Sequence, residues 1–117
     1  MKVSTIINLL GAQCFTPVSE EQLNHNVESA FASDLMSDVL AYVEEDTLLV
    51  TGLSQIQSLR TAEMLDIKYI LYVRGKKPNQ EMIKLAQMNQ MTLLGTSLTM
   101  YEASGILYQK GLVGLQV

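Results

Sequence analysis

Short apolar runs alternate with amphipathic stretches from residue 27 onward, and this alternation restricts the fold more than any other feature of the sequence. Parallel strands need crossover connections, which are usually helices, so the pattern predicts βαβ units. The predicted strands occupy residues 27–32, 47–50, 69–73 and 92–94. We therefore predict an α/β fold in which helices flank a single, mainly parallel sheet.

Helical periodicity and capping signals place helices between and after these strands. They are predicted at 34–45, at 54–65, from Asn79 onward, and from Thr99 to Lys110. Ser54 with Gln57, and Thr99 with Glu102, have the spacing of capping boxes, in which two side chains satisfy free backbone N–H groups at a helix start. Gly111 can adopt the left-handed conformation that ends a helix. These signals predict clear boundaries for the later helices.

The N-terminal part of the chain is less regular. Apolar residues recur at helical spacing over 3–10 and stop at Gly11, which predicts an amphipathic helix. Residues 13–16 are predicted to be extended, and Ser19 with Gln22 forms a capping box for a short helix. This part is expected to pack against the βαβ region.

Composition indicates one folded domain spanning residues 1–117. Of the 117 residues, 48% are hydrophobic and 17% are charged, which differs from the compositions typical of disordered chains. Cys14 is the only cysteine, so no intrachain disulfide is possible and a reducing, cytoplasmic setting is expected. No apolar run approaches the roughly 20 residues that cross a bilayer, so no membrane association is expected.

Charge is unevenly distributed along the sequence. Residues 1–58 carry one base and eight acids, whereas residues 59–117 carry seven bases and four acids. Part of the basic excess is the run from Arg74 to Lys77, which is a candidate anion-facing loop or a solvated surface loop. The sequence pI of about 4.8 argues against a nucleic-acid partner, because the broad basic surface that a phosphate backbone requires is lacking.

Small polar residues, glycine and basic residues follow each predicted strand. In open α/β sheets, ligands bind outside the carboxyl ends of the strands, and helix N-termini there favour anions. We therefore expect these residues to converge on a ligand site. The predicted ligand-binding residues are Ser33, Asp34, Thr51, Gly52, Arg74, Gly75, Lys76, Thr96 and Ser97.

Helix capping and tight turns explain many of the same residues without any ligand. Capping does not account for three cations, Arg74, Lys76 and Lys77, beside a glycine at one strand end. Both interpretations stay open at this point, and the basic loop favours a small anionic ligand.

The sequence contains no recognisable catalytic constellation. The phosphate-binding motifs G-x-x-x-x-G-K-[ST] and G-x-G-x-x-G are absent. His25 has no nucleophile or acid at a known motif spacing and is expected at the surface. We therefore predict no catalytic residues, no metal site and no cofactor, and a protein that is not an enzyme.

Several segments resemble the DRTGG domain family. They are ASDLMSDVLA at 32–41, LVTGL at 49–53, RTAEM at 60–64 and VRGKKP at 73–78, and the first is the most specific. The resemblance covers nearly the whole chain and is closest to the stand-alone branch, which is similar to the regulatory portion associated with HPr kinase, phosphotransacetylase and CBS-pyrophosphatase proteins. It implies a regulatory role, adenine-nucleotide sensing and dimerisation. The kinase activity of HPr kinase resides in a separate P-loop domain that this chain lacks.

Two functional hypotheses follow. The first is a non-catalytic, homodimeric regulatory domain that binds an adenine nucleotide or another small anionic metabolite at the strand ends. The second is a protein–protein adaptor of a redox or hydrogenase-related complex, without a small ligand, in which the apolar tail at 112–117 docks onto a partner. The tail is also suited to joining a sheet edge or a partner subunit.

Overall fold

The computed structural model describes residues 1–44 and 46–115, and within them the chain forms six helices and five strands. The strands are β1 (Gln13–Cys14), β2 (Ser29–Ala32), β3 (Thr47–Thr51), β4 (Tyr69–Tyr72) and β5 (Thr92–Gly95). They form one sheet in the order β1-β5-β4-β3-β2. Strands β2 to β5 are parallel, and β1 pairs antiparallel with β5. The predicted α/β fold class is confirmed.

Helices cover both faces of the sheet. They are α1 (Val3–Leu10), α2 (Glu20–Asn24), α3 (Met36–Tyr42), α4 (Ile56–Met64), α5 (Gln80–Met88) and α6 (Met100–Gln109). Alternate residues of each strand point to opposite faces, so the sheet has two apolar cores. On one face Leu48 and Leu71 pack with α1 and α6, and on the other face Leu49 and Ile70 pack with α3, α4 and α5.

Local sequence signals account for most helix boundaries. The Ser19 hydroxyl accepts a hydrogen bond from the Gln22 amide at 3.1 Å, and the Gln22 side chain accepts one from the Ser19 amide at 2.9 Å. Asn79 caps α5 through a bond from the Met82 amide, and Thr99 caps α6 through one from the Glu102 amide. These are the caps that the sequence predicts.

Two predicted helix starts are wrong. Helix α3 begins at Met36 instead of residue 34, because Ser33 forms a local turn with the Leu35 amide and Asp34 is extended toward β3. Helix α4 begins at Ile56, and Ser54 does not cap it. The Ser54 hydroxyl instead donates to the Lys77 carbonyl at 2.6 Å, which ties this segment to the loop after β4.

The segment after α6 joins the edge of the sheet at β2. Leu112 is buried in the core with α1 and α6, and the Ala30 amide donates to the Val113 carbonyl at 2.9 Å. The tail therefore takes the sheet-edge position that the sequence allows, and residues 116 and 117 of the predicted tail lie outside the described residues. Removal of the whole tail would also remove Leu112 from the core, so the tail cannot be treated as a free appendage.

Among the residues that the structure describes, no helix is long and apolar enough to cross a bilayer.

Candidate functional site

The carboxyl ends of the parallel strands lie along one edge of the sheet, and the predicted site residues fall there in two groups. Asp34, Thr51, Gly52 and Arg74 form one group of contacting residues. The other group lines a cleft of about 250 Å³ and comprises Gly75, Lys76, Thr96 and Ser97. Ser33 lies beside the first group, and its hydroxyl accepts a bond from the Leu35 amide.

The first group is organised around the Asp34 carboxylate. Its Oδ1 accepts hydrogen bonds from the Thr51 hydroxyl at 2.9 Å and from the Gly52 amide at 2.6 Å. Its Oδ2 lies 3.8 Å from a terminal nitrogen of the Arg74 guanidinium. Asp34 follows β2, whereas its partners are the last residue of β3, the glycine that follows it, and Arg74 in the loop after β4. The carboxylate thus joins three strand ends.

Gly52 is the residue that admits the Arg74 side chain. A Cβ atom at position 52 would overlap the Arg74 guanidinium, which lies directly over the glycine backbone. Arg74 has a left-handed backbone with φ of 58°, which non-glycine residues adopt infrequently. Its amide donates to the Leu98 carbonyl at 2.8 Å, so the turn is held by the loop before α6. This backbone turn places the side chain on the Asp34 side of the loop.

The second group forms the cleft, which we call the lysine cleft. Besides the four predicted residues, Gly11, Gln13, Phe15, Lys77 and Gly95 line it. Lys76, Lys77 and Ser97 are exposed, so their polar atoms are accessible to a ligand. Thr96 is only 4% exposed. Its hydroxyl donates a hydrogen bond to the Leu10 carbonyl and accepts one from the Leu98 amide. The charge of the cleft therefore comes from the lysines.

Two of the loop amides near the cleft are already used inside the chain. The Gly75 amide donates to the Thr96 carbonyl at 2.9 Å, and the Lys76 amide donates to the Val73 carbonyl at 3.1 Å. Gly75 has φ of 69°, a conformation that favours glycine, so its role in the cleft is to form the turn. These two amides are therefore not free to bind an anion in the lysine cleft, whereas the exposed lysine side chains are.

Sequence reasoning missed the wall of the lysine cleft that comes from the N-terminal segment. The Phe15 ring covers Gly95 so closely that a Cβ atom at position 95 would overlap it. Phe15 reaches this position because β1 pairs antiparallel with the carboxyl end of β5, where Cys14 lies opposite Leu94. A two-residue strand gives no periodic signal. The only sequence indication of this cleft wall was the glycine at the end of a predicted strand.

A larger polar cavity of about 640 Å³ lies at the opposite end of the sheet, where β3, β4 and β5 begin. The His25 Nε2 atom is 2.8 Å from the Asp46 carboxylate, and the His25 ring stacks on Tyr69 at a centroid distance of 5.1 Å. His25 is partly exposed, as expected, but it has an acidic partner that the sequence did not reveal. The two residues are far apart along the chain, so no motif spacing could indicate the pair.

No family model matches the chain, and no curated protein matches it. A solved structure does match. It is the crystal structure of the CBS and DRTGG domains of the regulatory region of Clostridium perfringens pyrophosphatase, complexed with the activator diadenosine tetraphosphate. The TM-score is 0.75 at 17% sequence identity, over 92% of this chain and 46% of that chain. The two proteins share a fold.

The match shows a related fold, and the present chain spans about half of the solved regulatory region. At this identity the likeness concerns the fold alone.

Within residues 1–44 and 46–115, no group of three or more His, Cys, Asp or Glu side chains could hold a metal ion. Partial burial of the exposed Cys14 raises the pKa of its thiol, which lowers the thiolate fraction.

Proposed function

We propose that this chain is a regulatory, ligand-sensing domain of the DRTGG type that binds a small anionic metabolite in the lysine cleft. The observation that carries the proposal is the position of two exposed lysines, Lys76 and Lys77, in a cleft at the carboxyl edge of a parallel sheet. Ligands of open α/β folds bind at this edge. The structural neighbour, a regulatory region in complex with an adenine nucleotide activator, supports the sensing role.

An adenine nucleotide is the candidate ligand that we favour. The cleft volume of about 250 Å³ is slightly below the usual range for pockets that enclose a whole small molecule. It suits the phosphate-bearing part of a nucleotide, with the remainder lying over the open mouth. Phe15 offers an apolar surface at the same mouth, and Ser97 offers a hydroxyl. The basic side chains would provide charge-assisted hydrogen bonds to phosphate oxygens.

Calorimetry with AMP, ADP and ATP at constant ionic strength tests this proposal. The wild-type protein is expected to bind at least one of them, and the double variant Lys76→Gln/Lys77→Gln is expected to bind it at least tenfold more weakly, since one charge-assisted bond contributes about 1.5–3 kcal/mol. Lys84→Gln, which removes an exposed lysine of α5, is the matched control and should behave as wild type. Equal affinities in the double variant and the control would contradict the proposal.

The proposed role is binding without catalysis and without a cofactor. The one histidine lies at the opposite end of the sheet from the lysine cleft, in the cavity with Asp46. The described residues that line the cleft are lysine, serine, threonine, glycine, glutamine and phenylalanine, and none of them carries a carboxylate to act as an acid or base. We propose a cytoplasmic setting on the basis of the single, free Cys14, and we propose no nucleic-acid partner on the basis of the acidic pI.

We also propose that two copies of the chain associate through α6. Tyr101 and Tyr108 of this helix are 88% and 72% exposed, and they border an apolar groove of about 350 Å³ beside β2. Gly105 lies between them in the groove and has no neighbour within 4 Å of a Cβ position, so packing inside the chain does not explain the glycine. Glycine within a helix costs about 1 kcal/mol relative to alanine, and close approach of a second helix would offset this cost.

Sedimentation analysis tests this association. The wild-type chain is expected to sediment as a dimer, whereas Gly105→Leu, which fills the groove, is expected to sediment as a monomer with an unchanged circular dichroism spectrum. Lys110→Gln, at the exposed end of the same helix, is the control. A monomeric wild-type chain would exclude the homodimer and favour the adaptor hypothesis, in which the chain docks onto a different protein.

A further inference from the structure

The Asp34 carboxylate fills an anion hole that other parts of the chain form. The hole consists of the Thr51 hydroxyl, the Gly52 amide and the Arg74 guanidinium, and all three donors face Asp34. Thr51 and Gly52 are buried at the end of β3, so their positions are fixed by the sheet. A backbone N–H, a hydroxyl and a guanidinium that converge in this way are the donor set expected for a phosphate or carboxylate group.

The Asp34 carboxylate, which occupies this hole, is less firmly fixed than the donors that form the hole. Asp34 lies in the connection before α3. Val39 is the only buried residue of this helix. The side chains of Asp34 and Arg74 are 47% and 51% exposed, so solvent reaches both charges. The distance of 3.8 Å between Oδ2 and the guanidinium nitrogen leaves Arg74 without a close hydrogen bond to the carboxylate. An external oxyanion would therefore meet an accessible and incompletely used cation.

We infer that Asp34 is an internal substitute for an external oxyanion, which competes with it for Gly52, Thr51 and Arg74. This inference rests on the proposed function, because it concerns the same sheet edge and assigns regulation to it. The competing group is a phosphate or carboxylate, carried by the ligand of the lysine cleft or present as a free anion. Displacement of Asp34 releases the connection between Ser33 and Leu35 and the start of α3, which converts anion binding into a movement at the surface.

The loop at 74–77 links this hole to the lysine cleft. Arg74 points its guanidinium toward Gly52, whereas Lys76 and Lys77 line the cleft. The Lys77 carbonyl accepts a bond from Ser54, two residues beyond Gly52. One short loop therefore carries the cations of both sites.

Titration of inorganic phosphate, followed by the Gly52 amide resonance in a ¹⁵N NMR spectrum, tests the inference. Sodium chloride at equal ionic strength is the control for screening, and acetate and AMP distinguish a carboxylate or a nucleotide phosphate from the free anion. In wild-type protein, phosphate is expected to shift the Gly52 amide. In Asp34→Ala and Asp34→Asn, the apparent dissociation constant for phosphate is expected to fall at least tenfold, because the internal competitor is removed.

Asp38→Asn is the matched control, since it removes one negative charge nearby without touching the hole. Adding Arg74→Gln to Asp34→Asn should abolish the gain in phosphate affinity. The inference would be overturned if both Asp34 variants bound phosphate with the same affinity as Asp38→Asn. It would also be overturned if the Asp34 variants had a lowered Tm and an unchanged phosphate affinity, because Asp34 would then have a structural role. Should Asp34→Ala not fold, Asp34→Asn and the wild-type titration still decide the question.

The two proposals can fail separately. Nucleotide binding that is lost in Lys76→Gln/Lys77→Gln, together with an unresponsive Gly52 amide, would support the lysine cleft and overturn the competition. A phosphate-dependent Gly52 shift in a protein that binds no nucleotide would support the competition and contradict the nucleotide proposal.

Discussion

Individual residues at the carboxyl edge have roles that depend on space as much as on charge. Gly52 provides room for the Arg74 guanidinium, and the left-handed turn at Arg74 aims the side chain into that room. A methyl group at position 52 would displace the guanidinium, whose far end can move without disturbing the sheet. The cost of such a substitution should therefore come from the lost pairing of Arg74 with Asp34.

A double-mutant cycle measures that cost. Gly52→Ala is expected to lower the free energy of unfolding by up to about 1 kcal/mol in wild-type protein, the upper range for an exposed ion pair, and by almost nothing in an Arg74→Ala background. Urea denaturation followed by circular dichroism gives both values. An equal loss in the two backgrounds would show that the overlap involves the backbone and not the arginine.

The sequence predicts the position of Asp34, Thr51, Gly52 and Arg74 at one edge, because parallel topology alone brings strand ends together. It does not predict that Asp34 bonds with the others, since this depends on which way one side chain turns after β2. It predicts Thr96 as a ligand-binding residue, and this stays a prediction; it does not predict that the Thr96 hydroxyl donates to the Leu10 carbonyl. Strand-end chemistry indicates where residues lie, but it does not distinguish a free donor from one already used.

At the scale of elements, capping signals are reliable where the capping side-chain oxygen has no competing tertiary partner. The caps at Ser19, Asn79 and Thr99 form as the sequence predicts. Ser54 has the same signal, yet its hydroxyl bonds to the Lys77 carbonyl across the edge. A local motif cannot reveal this competition, because the competing carbonyl belongs to a loop that only the folded sheet brings close.

This difference leads to a prediction for Ser54→Ala. The variant is expected to lose the tie to the loop at 74–77, so the amides of Gly75 and Lys76 should exchange hydrogen faster, while the first turn of α4 should exchange as in wild type. Hydrogen exchange followed by NMR measures both segments. Asn79→Ala is the comparison, because it should destabilise the start of α5 by about 1 kcal/mol as a true cap does. Faster exchange confined to α4 in Ser54→Ala would contradict the assignment.

At the scale of the whole molecule, two buried tyrosines link stability to alkaline pH. Burial raises the pKa of Tyr72, and burial together with Asp46 and Glu21 raises the pKa of Tyr69. In the unfolded chain both phenols lose their protons near pH 10, while the folded protein keeps them. The unfolded state then binds fewer protons, so stability is fully present below about pH 10 and falls as the pH rises further.

Thermal unfolding between pH 8 and pH 11 tests this linkage. Above pH 10 the wild-type protein is expected to lose up to about 1.4 kcal/mol more per pH unit than Tyr72→Phe, which has no phenol at position 72 to ionise. Tyr42→Phe, at a partly exposed position of α3, is the control and should follow the wild type. Parallel curves for the wild type and Tyr72→Phe would contradict the prediction.

The whole-molecule architecture was predictable because the periodic signals of βαβ units are strong, whereas the N-terminal contribution was not. The walls that Gly11, Gln13 and Phe15 provide to the lysine cleft depend on the long-range pairing of β1 with β5. The pairing of His25 with Asp46 at the opposite end also depends on contacts between distant segments. Such contacts join residues that are distant in the sequence, so no local pattern encodes them.

The central claim, that the carboxyl edge is the ligand site, is tested most directly by ¹⁵N NMR mapping during titration with an adenine nucleotide. The expected result is a cluster of saturable shifts at Gly75, Lys76, Gly95 and Ser97 that disappears in Lys76→Gln/Lys77→Gln. Shifts confined to the cavity around His25 and Tyr69, or no saturable shift with AMP, ADP or ATP in folded protein, would contradict it.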